Sequence, residues 1–438
     1  MSEEANSVSF VPVIVGGNRG AYSLARAFYE AYQVKTNLIS PMIIGPIGNS
    51  RIIKHYIQPG IDDLDLFFET IHQIGRDYPN MKKIIFGADD RYAELLIRTK
   101  DRFGDDWIIP YVDEPVFLRA TNKESFYAIC EKTGVPYPKT VVMDEFSLDL
   151  PFEFPIIIKP SNAIMYQGLH FEGKEKVFIG RDEKDLERIY HLVRDNGYTD
   201  NLILQEYVPG DDTYLGVVTV YTSPRDKEIK LIAFGHILLE DHTPSAIGNH
   251  LTIWAREEQK IVASVQKLIA ETEFYGFSNF DVKYDKRKDD YVFFELNGRL
   301  GVSNYYVTAS ENNVAKYYVE DFIAKKKLGL TINTNEALFT MTPKKLLLKY
   351  IESDVLRKKV KELYKDGKVV HPLDAPFEVS PKRKFYVLAS KFNYYKKFKE
   401  YPPEECTETN GKRGMRKYEK IFWYSWRNGN AGDDQFSC

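Results

Sequence analysis

Two carboxylates and an amide lie close together in the sequence and have the chemistry of a magnesium site. Asp281 sits in an apolar run, and Glu295 and Asn297 follow it after a short charged turn. Side chains two residues apart on a strand share a face, so Glu295 and Asn297 point the same way, and pairing of the two strands lets Asp281 reach that face. Such oxygens bind Mg²⁺, which bridges nucleotide phosphates during phosphoryl transfer. The alternative is that the two carboxylates only pair with Lys283 or Arg299.

Two lysines further upstream stand where phosphate groups could be bound. Lys159 ends a buried apolar strand, and Lys123 opens a helix, an end where anions are favoured. In the functional interpretation, the Lys159 ammonium acts as a point charge on the phosphates of ATP. In the alternative, Lys159 merely extends past its strand to reach solvent, as long lysine side chains commonly do.

A segment between these lysines and the carboxylates could hold the nucleoside of ATP. The strand 202–207 ends at the turn Pro209-Gly210, and Asp212 follows shortly after. Adenine needs one backbone donor and one acceptor from a chain segment, and a carboxylate suits the ribose hydroxyls. A plain Pro-Gly-Asp turn is the alternative, and it would need no ligand.

The first 100 residues contain the pattern of a doubly wound α/β unit. The strand 11–15 leads into a glycine loop that includes Gly17 and Asn18, and a helix follows at 22–32. A second strand, 84–86, again ends in a polar loop before a helix. Ligands of open α/β sheets bind at such strand ends, which makes Gly17 and Asn18 candidate substrate residues. The glycine spacing is not that of a dinucleotide fingerprint, so a dinucleotide is disfavoured.

From residue 134 the hydrophobic pattern is mostly that of strands. The helix 123–133 stops at Gly134 with two prolines beyond it, a clear C-terminal signal. A longer helix is predicted at 257–272, in front of the hairpin that carries the carboxylates. The predicted strands are 140–143, 156–159, 202–207, 214–221, 229–239, 280–284 and 291–296.

The last third of the chain is rich in lysines and aromatic residues. Helices are predicted within 344–364, and the segment 381–420 carries 12 basic against 5 acidic residues, with aromatic residues between them. One interpretation is a solvated face on a small appended domain. The other is a docking surface for an anionic substrate or a membrane surface.

Composition excludes several classes of protein. The net charge of -3 gives no overall attraction to nucleic acid, and no apolar run approaches the roughly 20 residues of a membrane span. Residues 2–6 are acidic and polar, unlike a targeting leader. Three scattered cysteines favour neither a disulfide framework nor a zinc site, which predicts a reduced, cytoplasmic protein. Nothing in the sequence indicates the oligomeric state.

The features at Lys123, Lys159, 206–212, Asp281 and 295–297 occur in an order that resembles the ATP-grasp superfamily over roughly residues 120–330. The resemblance implies that ATP and Mg²⁺ are the cofactors. It also implies a role for each position: phosphate binding by Lys123 and Lys159, adenine binding by Glu206 and Val208, ribose binding by Asp212, and magnesium binding by Asp281, Glu295 and Asn297.

The same resemblance implies a fold of mixed α/β and α+β class in three parts. Its second part would be two subdomains that clamp ATP between them. The parts are a Rossmann-like N-terminal domain at 1–120, a two-subdomain ATP-grasp core at 121–330, and a small, basic and aromatic-rich C-terminal α+β extension at 331–438.

Two departures from the family pattern bear on the chemistry. The loop 161–168 is poor in glycine, although many relatives have a glycine-rich phosphate loop there. Asn279 stands where ligases that join two alanines often have arginine. Stabilisation of an acyl phosphate would therefore fall to magnesium and to the catalytic candidates Lys159 and Arg299.

Within the superfamily, four segments resemble the D-aspartate ligases of Gram-positive bacteria, cytoplasmic enzymes of peptidoglycan cross-bridge synthesis. The segments are 159–162, 171–174, 242–250 and 295–299. The resemblance implies that a carboxylate of aspartate attacks the γ-phosphate of ATP to give an acyl phosphate. The lysine side-chain amine of an anionic UDP-linked muramyl peptide would then displace the phosphate and form an amide. The loop 161–176 would exclude water.

Substrate contacts are expected from two places. Arg299 could form a bidentate pair with the aspartate carboxylate that is not activated, or it could form a structural ion pair within the protein. The loop 242–250, with Ser245, Asn249 and His250, is the candidate for binding the acceptor or the amino acid, although its histidines could be ordinary loop residues. The competing functions are an ATP-grasp ligase for another amino acid or peptide, a small-molecule kinase, and an inactive nucleotide-binding regulatory protein.

Overall fold

The computed structural model describes residues 9–162, 165–166, 168–243 and 246–403. Within these ranges the chain forms helices and three β-sheets, and each sheet is built from strands that are consecutive in the sequence. No helix of this described part is long and apolar enough to cross a membrane.

The first sheet is parallel and has five strands. The strands are β1 (Phe10–Val15), β2 (Thr36–Ser40), β3 (Ile53–Ile57), β4 (Lys82–Gly87) and β5 (Trp107–Ile108), and the helices between them are α1 (Arg19–Tyr32), α2 (Gly45–Gly48), α3 (Leu64–Asp77) and α4 (Asp90–Arg98). The order β3-β2-β1-β4-β5 places β1 at the centre, and all of its residues are buried, as expected for a sheet covered on both faces. This confirms the predicted Rossmann-like fold.

The second sheet is antiparallel and has four strands in the order β6-β9-β7-β8. Its strands are β6 (Thr140–Met143), β7 (Ile156–Pro160), β8 (Phe178–Gly180) and β9 (Leu202–Glu206), and the helices of this region are α5 (Glu114–Thr121), α6 (Lys123–Thr133) and α7 (Glu183–Asp195). Ile158 and Leu204 of the sheet pack with Leu186 of α7 in a separate core. The α6 bounds match the predicted helix because both caps are local: Asn122 accepts from the first turn, and Gly134 adopts a φ of 66°.

The third sheet has eight strands and forms the largest part of the molecule. Its strands are β10 (Leu215–Thr222), β11 (Ile229–Glu240), β12 (His250–Arg256), β13 (Gly276–Asp285), β14 (Asp290–Asn297), β15 (Thr331–Ile332), β16 (Ala337–Thr340) and β17 (Val369–Val370), and its helices are α8 (Val262–Thr272), α9 (Tyr305–Ala309) and α10 (Val314–Tyr318). The order is β14-β13-β10-β11-β12-β16-β17, with β15 paired to β11. The mixed α/β and α+β class predicted from the sequence is confirmed.

Between residues 331 and 403, the C-terminal region adds strands to this third sheet. β16 pairs with β12 and β17 with β16. Three helices follow, α11 (Lys344–Tyr350), α12 (Asp354–Lys365) and α13 (Pro381–Glu400). The part of the basic segment beyond residue 403 lies outside the described residues, and the domain boundaries near 120 and 330 stay predictions.

One strand and one helix start differ from expectation. β12 begins at the last residue of the loop predicted at 242–250 and continues through residues 251–256, for which no strand was predicted. Leu251, Ile253 and Ala255 alternate into the core between β11 and β16. The helix predicted from 257 begins only at Val262. The residues from 257 to 261 form a turn instead of helix. The apolar residues that recur with helical spacing begin only at the end of this turn.

Candidate active site

The three predicted magnesium ligands converge on the β13–β14 hairpin. Asp281 pairs directly with Glu295 across the two strands. Asn297, two residues further along β14, donates from Nδ2 to the Asp281 Oδ2 at 3.1 Å. All three side chains are partly buried, and two carboxylates and one amide group lie in one polar cluster.

A β-bulge creates this alignment. The register shifts by one residue beside the Asp281–Glu295 pair, so that Phe294 is an extra residue on β14. Without the extra residue, Glu295 would point to the opposite face of the sheet from Asp281. The Tyr127 hydroxyl of α6 donates to the Phe294 carbonyl oxygen at 3.0 Å and so holds the bulge from outside the sheet.

The electrostatics of this cluster suit a divalent cation. Burial, and then the neighbouring Glu295, raises the pKa of Asp281 well above its usual value. Burial acts in the same direction on Glu295, but the ammonium groups of Lys123 and Lys159 outweigh it and lower the Glu295 pKa. Two carboxylates with an amide oxygen are a hard donor set that fits Mg²⁺, which would also relieve their mutual repulsion. No three His, Cys, Asp or Glu side chains of the described residues form a metal-binding group, so the remaining ligands would be phosphate oxygens and water.

Lys159 lies at the end of β7, on the other side of the same cluster. Its Nζ donates to the Gln205 Oε1 at 3.2 Å and lies 3.5 Å from the Tyr127 hydroxyl. Burial, and then the nearby Lys123, lowers the Lys159 pKa to about 8. The ammonium is therefore held inside the protein and does not simply extend into bulk solvent. Lys123 begins α6 beside it, as predicted.

Tyr127 and Gln205 connect the lysine to the carboxylates. The fully buried Gln205 donates from Nε2 to the Tyr127 hydroxyl at 2.8 Å and to the Thr140 Oγ1 at 3.0 Å. Tyr127 in turn donates to the bulge on β14. Sequence analysis missed Tyr127 and Gln205. Gln205 carried a signal, since it is a polar residue in the middle of the apolar run of β9.

The segment predicted to hold adenine begins where β9 ends. The Glu206 carboxylate accepts from the Arg287 Nη2 at 2.8 Å and from the backbone nitrogen of Lys139 at 3.3 Å. Arg287 is at the tip of the β13–β14 hairpin, so Glu206 links the second sheet to the third. Val208 is buried just beyond it. A contact with a base from this segment would therefore use backbone groups instead of the Glu206 carboxylate.

Asp212 lies against the end of β11. Its Oδ2 accepts from the backbone nitrogen of Glu240 at 2.8 Å and lies 2.9 Å from the His242 Nε2. Burial, and then Asp212, raises the pKa of Glu240 to about 7. Sequence analysis missed Glu240, although it ends a long apolar strand in the same way that Lys159 does.

The glycine loop that follows β1 contacts the segment that follows β14 of the third sheet. Gly17 and Asn18 follow β1 directly, and Asn18 donates to the Ala88 carbonyl oxygen at 2.9 Å while its Oδ1 caps α1. Asn18 thereby joins the carboxyl ends of β1 and β4. A Cβ on Gly20 would lie 2.8 Å from the Val302 backbone, so this loop presses against the segment that follows β14.

Arg299 joins the same two regions by an ion pair. Its Nη2 lies 2.6 Å from the Asp90 Oδ2 at the start of α4. Its backbone carbonyl oxygen accepts from the Asn279 amide. The Arg299 Nε is buried without a hydrogen-bond partner among the described residues. One nitrogen of the guanidinium is thus bound to the protein, and the buried Nε is left without an acceptor in the described part of the chain.

The predicted substrate residues between 242 and 250 are only partly brought to the site. His250 is the first residue of β12, and its Nε2 lies 3.5 Å from the Glu240 Oε1. Burial, and then Arg19, lowers the His250 pKa to about 4, which keeps this imidazole neutral. Asn249 precedes it in a turn. Ser245 lies outside the described residues.

Lys176 is a cation that sequence analysis missed. Its Nζ donates to the Ile247 carbonyl oxygen at 3.1 Å, so the loop predicted to exclude water touches the loop predicted to bind substrate. Lys176 also lowers the pKa of Glu295 and of Glu240. Its position in the 161–176 loop was the available signal, since a loop over phosphates needs cations.

Comparison with known proteins shows one extensive likeness in sequence. The chain is similar to the D-aspartate ligase of Enterococcus faecium (strain Aus0004), with 32% identity over 416 residues that cover 92% of this chain and 99% of that protein. No family model matches the chain. The likeness therefore runs through all three sheets and is not confined to the β13–β14 hairpin.

Comparison with solved structures identifies enzymes with a similar fold. The L-amino acid ligase from Bacillus licheniformis has a TM-score of 0.52 at 13% identity, covering 72% of this chain and 74% of that one. The N5-carboxyaminoimidazole synthetase from Staphylococcus aureus, complexed with ADP, has a TM-score of 0.54 at 15% identity, covering 89% and 98%. At these identities the likeness shows the fold alone.

Proposed function

The chain belongs to the D-aspartate ligase family of ATP-grasp enzymes, and we propose that it joins D-aspartate to the lysine side-chain amine of a UDP-linked muramyl peptide. Family membership makes it an ATP-dependent carboxylate–amine ligase. The strongest support for D-aspartate is the name of the same relative, and the strongest support for the site is one arrangement. The Tyr127 hydroxyl lies 3.5 Å from the Lys159 Nζ of the second sheet and donates to the Phe294 carbonyl oxygen, next to Glu295 of the third sheet.

In the first step, a carboxylate oxygen of aspartate attacks the γ-phosphorus of ATP. The bond from that phosphorus to the β-phosphate oxygen breaks, and ADP leaves behind an acyl phosphate. Both reactants are anions, so the attack needs fixed positive charge on each of them. Lys123 and Lys159 supply it, and a Lys159 pKa of about 8 keeps most of that ammonium protonated at neutral pH.

Asp281, Glu295 and Asn297 are the residues that would hold magnesium. A cation held there would supply positive charge that neutralises the charge developing on the transferring phosphoryl group. The protein keeps the three side chains together through the bulge at Phe294, which Tyr127 holds by a hydrogen bond of 3.0 Å. The carboxylates therefore do not have to reorganise when the nucleotide arrives.

In the second step, the neutral amine of the acceptor lysine attacks the acyl carbon. The carbon–oxygen bond to phosphate breaks, the amine loses one proton, and an amide and inorganic phosphate result. Arg299 would hold the second carboxylate of aspartate through guanidinium nitrogens other than the Nη2 that contacts Asp90. Fixing the acyl group in this way aligns its carbon with the amine.

The remaining candidates divide between the nucleotide and the acceptor. The backbone near Glu206 and Val208 would bind adenine, and Asp212 would bind ribose. The side of the site formed by the first sheet and the end of β11 would bind the amino acid and the acceptor. Its described members are Gly17, Asn18, Asn249 and His250, and Ser245, which lies outside the described residues, is proposed for the same role from the sequence. A nucleotide-linked acceptor of this kind places the reaction in the cytoplasm.

The experiment that tests this function is trapping of the acyl phosphate by hydroxylamine. The protein is incubated with ATP, Mg²⁺ and single amino acids, and hydroxamate and phosphate are measured without any acceptor. We expect hydroxamate with D-aspartate, much less with L-aspartate, and none above background with Glu295→Gln. Asp290→Asn changes a carboxylate at the far end of the same hairpin and serves as the control.

Two outcomes would contradict the proposal. Hydroxamate from a different amino acid would mean an ATP-grasp ligase with another first substrate. D-Aspartate hydroxamate from Glu295→Gln at the rate of the unmodified protein would mean that the β13–β14 cluster is not the catalytic centre. Transfer to a lysine-containing UDP-muramyl peptide, measured as a mass increase of one aspartyl residue, then tests the acceptor.

A further inference from the structure

Among the described residues, helix α13 packs against the rest of the protein along one side. Its buried residues are Arg383, Val387, Tyr394 and Phe398, which follow one another at intervals of four and seven and therefore share one face. On this side Lys397 contacts the Asp241 Oδ2 at 3.2 Å. The opposite face of the helix points away from the protein.

The outward face of α13 carries a row of large apolar side chains. Phe385, Leu388 and Phe392 are 67%, 52% and 61% exposed. Their intervals of three and four residues place them next to one another on the helix surface. Single exposed apolar residues need no explanation, but an aligned row of three on a 20-residue helix indicates a surface that is covered in use.

Lysines surround this outward face. Six exposed lysines, contributed by α11 and α13, form no ion pair with any residue of the described part of the chain. They are Lys345, Lys349, Lys382, Lys384, Lys396 and Lys399. Three of them line a groove of about 320 Å³ between the two helices, which we call the lysine groove; its lining is Lys345, Leu346, Lys349, Tyr350, Tyr395 and Lys399.

We propose that the outward face of α13, together with the lysine groove, docks on a bilayer surface that contains anionic lipids. Phe385, Leu388 and Phe392 would enter the boundary between headgroups and acyl chains. The lysines would lie at the level of the lipid phosphates, where each basic residue adds attraction. Tyr350 and Tyr395 combine an aromatic ring with a polar tip, which suits the same boundary.

Charge decides between a bilayer and a second copy of this chain. A symmetric dimer through the outward face would bring the lysines of one copy against those of the other, which is unfavourable. The whole chain has a net charge of -3, so its overall field gives no attraction to an anionic surface. Docking would therefore depend on this local group of lysines and apolar residues. Such docking is independent of the identity of the enzyme's substrates.

Co-sedimentation of the full chain with lipid vesicles tests the proposal. Vesicles of phosphatidylcholine alone are compared with vesicles that also contain phosphatidylglycerol. We expect the protein to sediment only with the phosphatidylglycerol vesicles, and we expect binding to weaken as salt screens the lysines. Absence of binding to phosphatidylglycerol vesicles at low salt overturns the proposal.

A charge-removal variant locates the binding surface. Changing Lys345, Lys349 and Lys399 together to Gln should weaken vesicle binding about a hundredfold, since each lysine contributes roughly fivefold. The matched control changes three other exposed lysines, which also form no ion pair among the described residues, to Gln: Lys35, Lys184 and Lys267. Equal binding by the two triple variants would show that the lysine groove is not the docking surface.

An apolar variant separates insertion from simple charge attraction. Changing Phe385, Leu388 and Phe392 together to Gln retains helix propensity and should abolish most vesicle binding. The control changes Leu118 and Val355, two exposed apolar residues on other helices, to Gln. Ligase activity without vesicles should be unchanged in every variant, which shows that each one is folded. A change of oligomeric state in the apolar variant, with vesicle binding unaltered, would identify the outward face as a self-association surface instead.

Discussion

The second and third sheets present opposite charges to the candidate active site. The four-stranded sheet contributes Lys159, whose pKa is lowered to about 8 by burial and then by Lys123. The eight-stranded sheet contributes Asp281 and Glu295, and burial with mutual repulsion raises the pKa of Asp281. Among the described residues, Lys159, Asp281 and Glu295 form no ion pair within their own sheets. An anionic nucleotide with magnesium would satisfy the charges of both sheets, because its phosphates suit the lysine side and its cation suits the carboxylate side.

Two links of different kinds join these sheets. One is buried: the Tyr127 hydroxyl contacts Lys159, Gln205 and the bulge of β14. The other is at the surface, where Arg287 of the hairpin pairs with Glu206. Buried hydrogen-bond networks leave costly unsatisfied groups when they are broken, whereas exposed ion pairs contribute little. We therefore expect function to depend on the buried link and to tolerate loss of the exposed one.

The largest effect is expected from removing the cation of the second sheet. Lys159→Gln should lower the rate of hydroxamate formation by ~10³-fold, because the charge that stabilises the transferring phosphoryl group is lost inside a water-poor site. Lys139→Gln, which changes an exposed lysine at the start of the same sheet, is the control and should retain the original rate. A loss of less than tenfold in Lys159→Gln would show that the second sheet is not the phosphate side.

The pH dependence of kcat/KM for ATP should report the same positive charge on Lys159. A lysine binds phosphate only when protonated, and the Lys159 pKa lies near 8 in the free protein. As pH rises through 8 the protonated fraction falls, so kcat/KM for ATP should fall about tenfold per pH unit above it. Lys159→Arg keeps its charge at these pH values and should flatten that alkaline fall. A profile of the unmodified protein that stays level well above pH 8 would exclude Lys159 as the titrating group.

An intermediate effect is expected from breaking the buried link. Tyr127→Phe removes the donor to the Phe294 carbonyl oxygen and the acceptor for Gln205. We expect a stability loss of about 1–3 kcal/mol from the unsatisfied groups and roughly a tenfold lower kcat. Denaturant unfolding and hydroxamate kinetics measure the two quantities. The control is Tyr137→Phe, which alters the hydroxyl of the ring stacked on Tyr127 and should change neither.

Much of the fold was predictable because its signals are local. The α6 bounds, the strand β6 and the starts of β7 and β9 agree with the sequence prediction. Apolar runs, an Asn cap and a Gly-Pro stop lie within a few residues of the elements that they define. The candidate lysines were identified for the same reason, since Lys123 begins a helix and Lys159 lies near the end of a strand.

The alignment of the carboxylates was not predictable in this way. A regular hairpin extended from the Asp285–Asp290 pair would place Asp281 opposite Phe294 and turn Glu295 to the other face. The bulge that corrects this depends on Tyr127, which is more than 160 residues away in sequence. Arg299 likewise finds Asp90 only through the packing of the first sheet on the third. Contacts over such separations leave no periodic pattern in the chain.

The smallest effect is expected from breaking the exposed link between the sheets. Glu206→Gln should raise KM for ATP by no more than about threefold, because the carboxylate is bound to Arg287 and the Lys139 backbone, and a base would meet backbone groups instead. A double-mutant cycle of Glu206→Gln with Arg287→Gln should give a coupling free energy below about 1 kcal/mol in unfolding. A KM increase of a hundredfold would mean that the Glu206 carboxylate leaves Arg287 and contacts the nucleotide directly, and the two sheets would then be joined through ATP at both links.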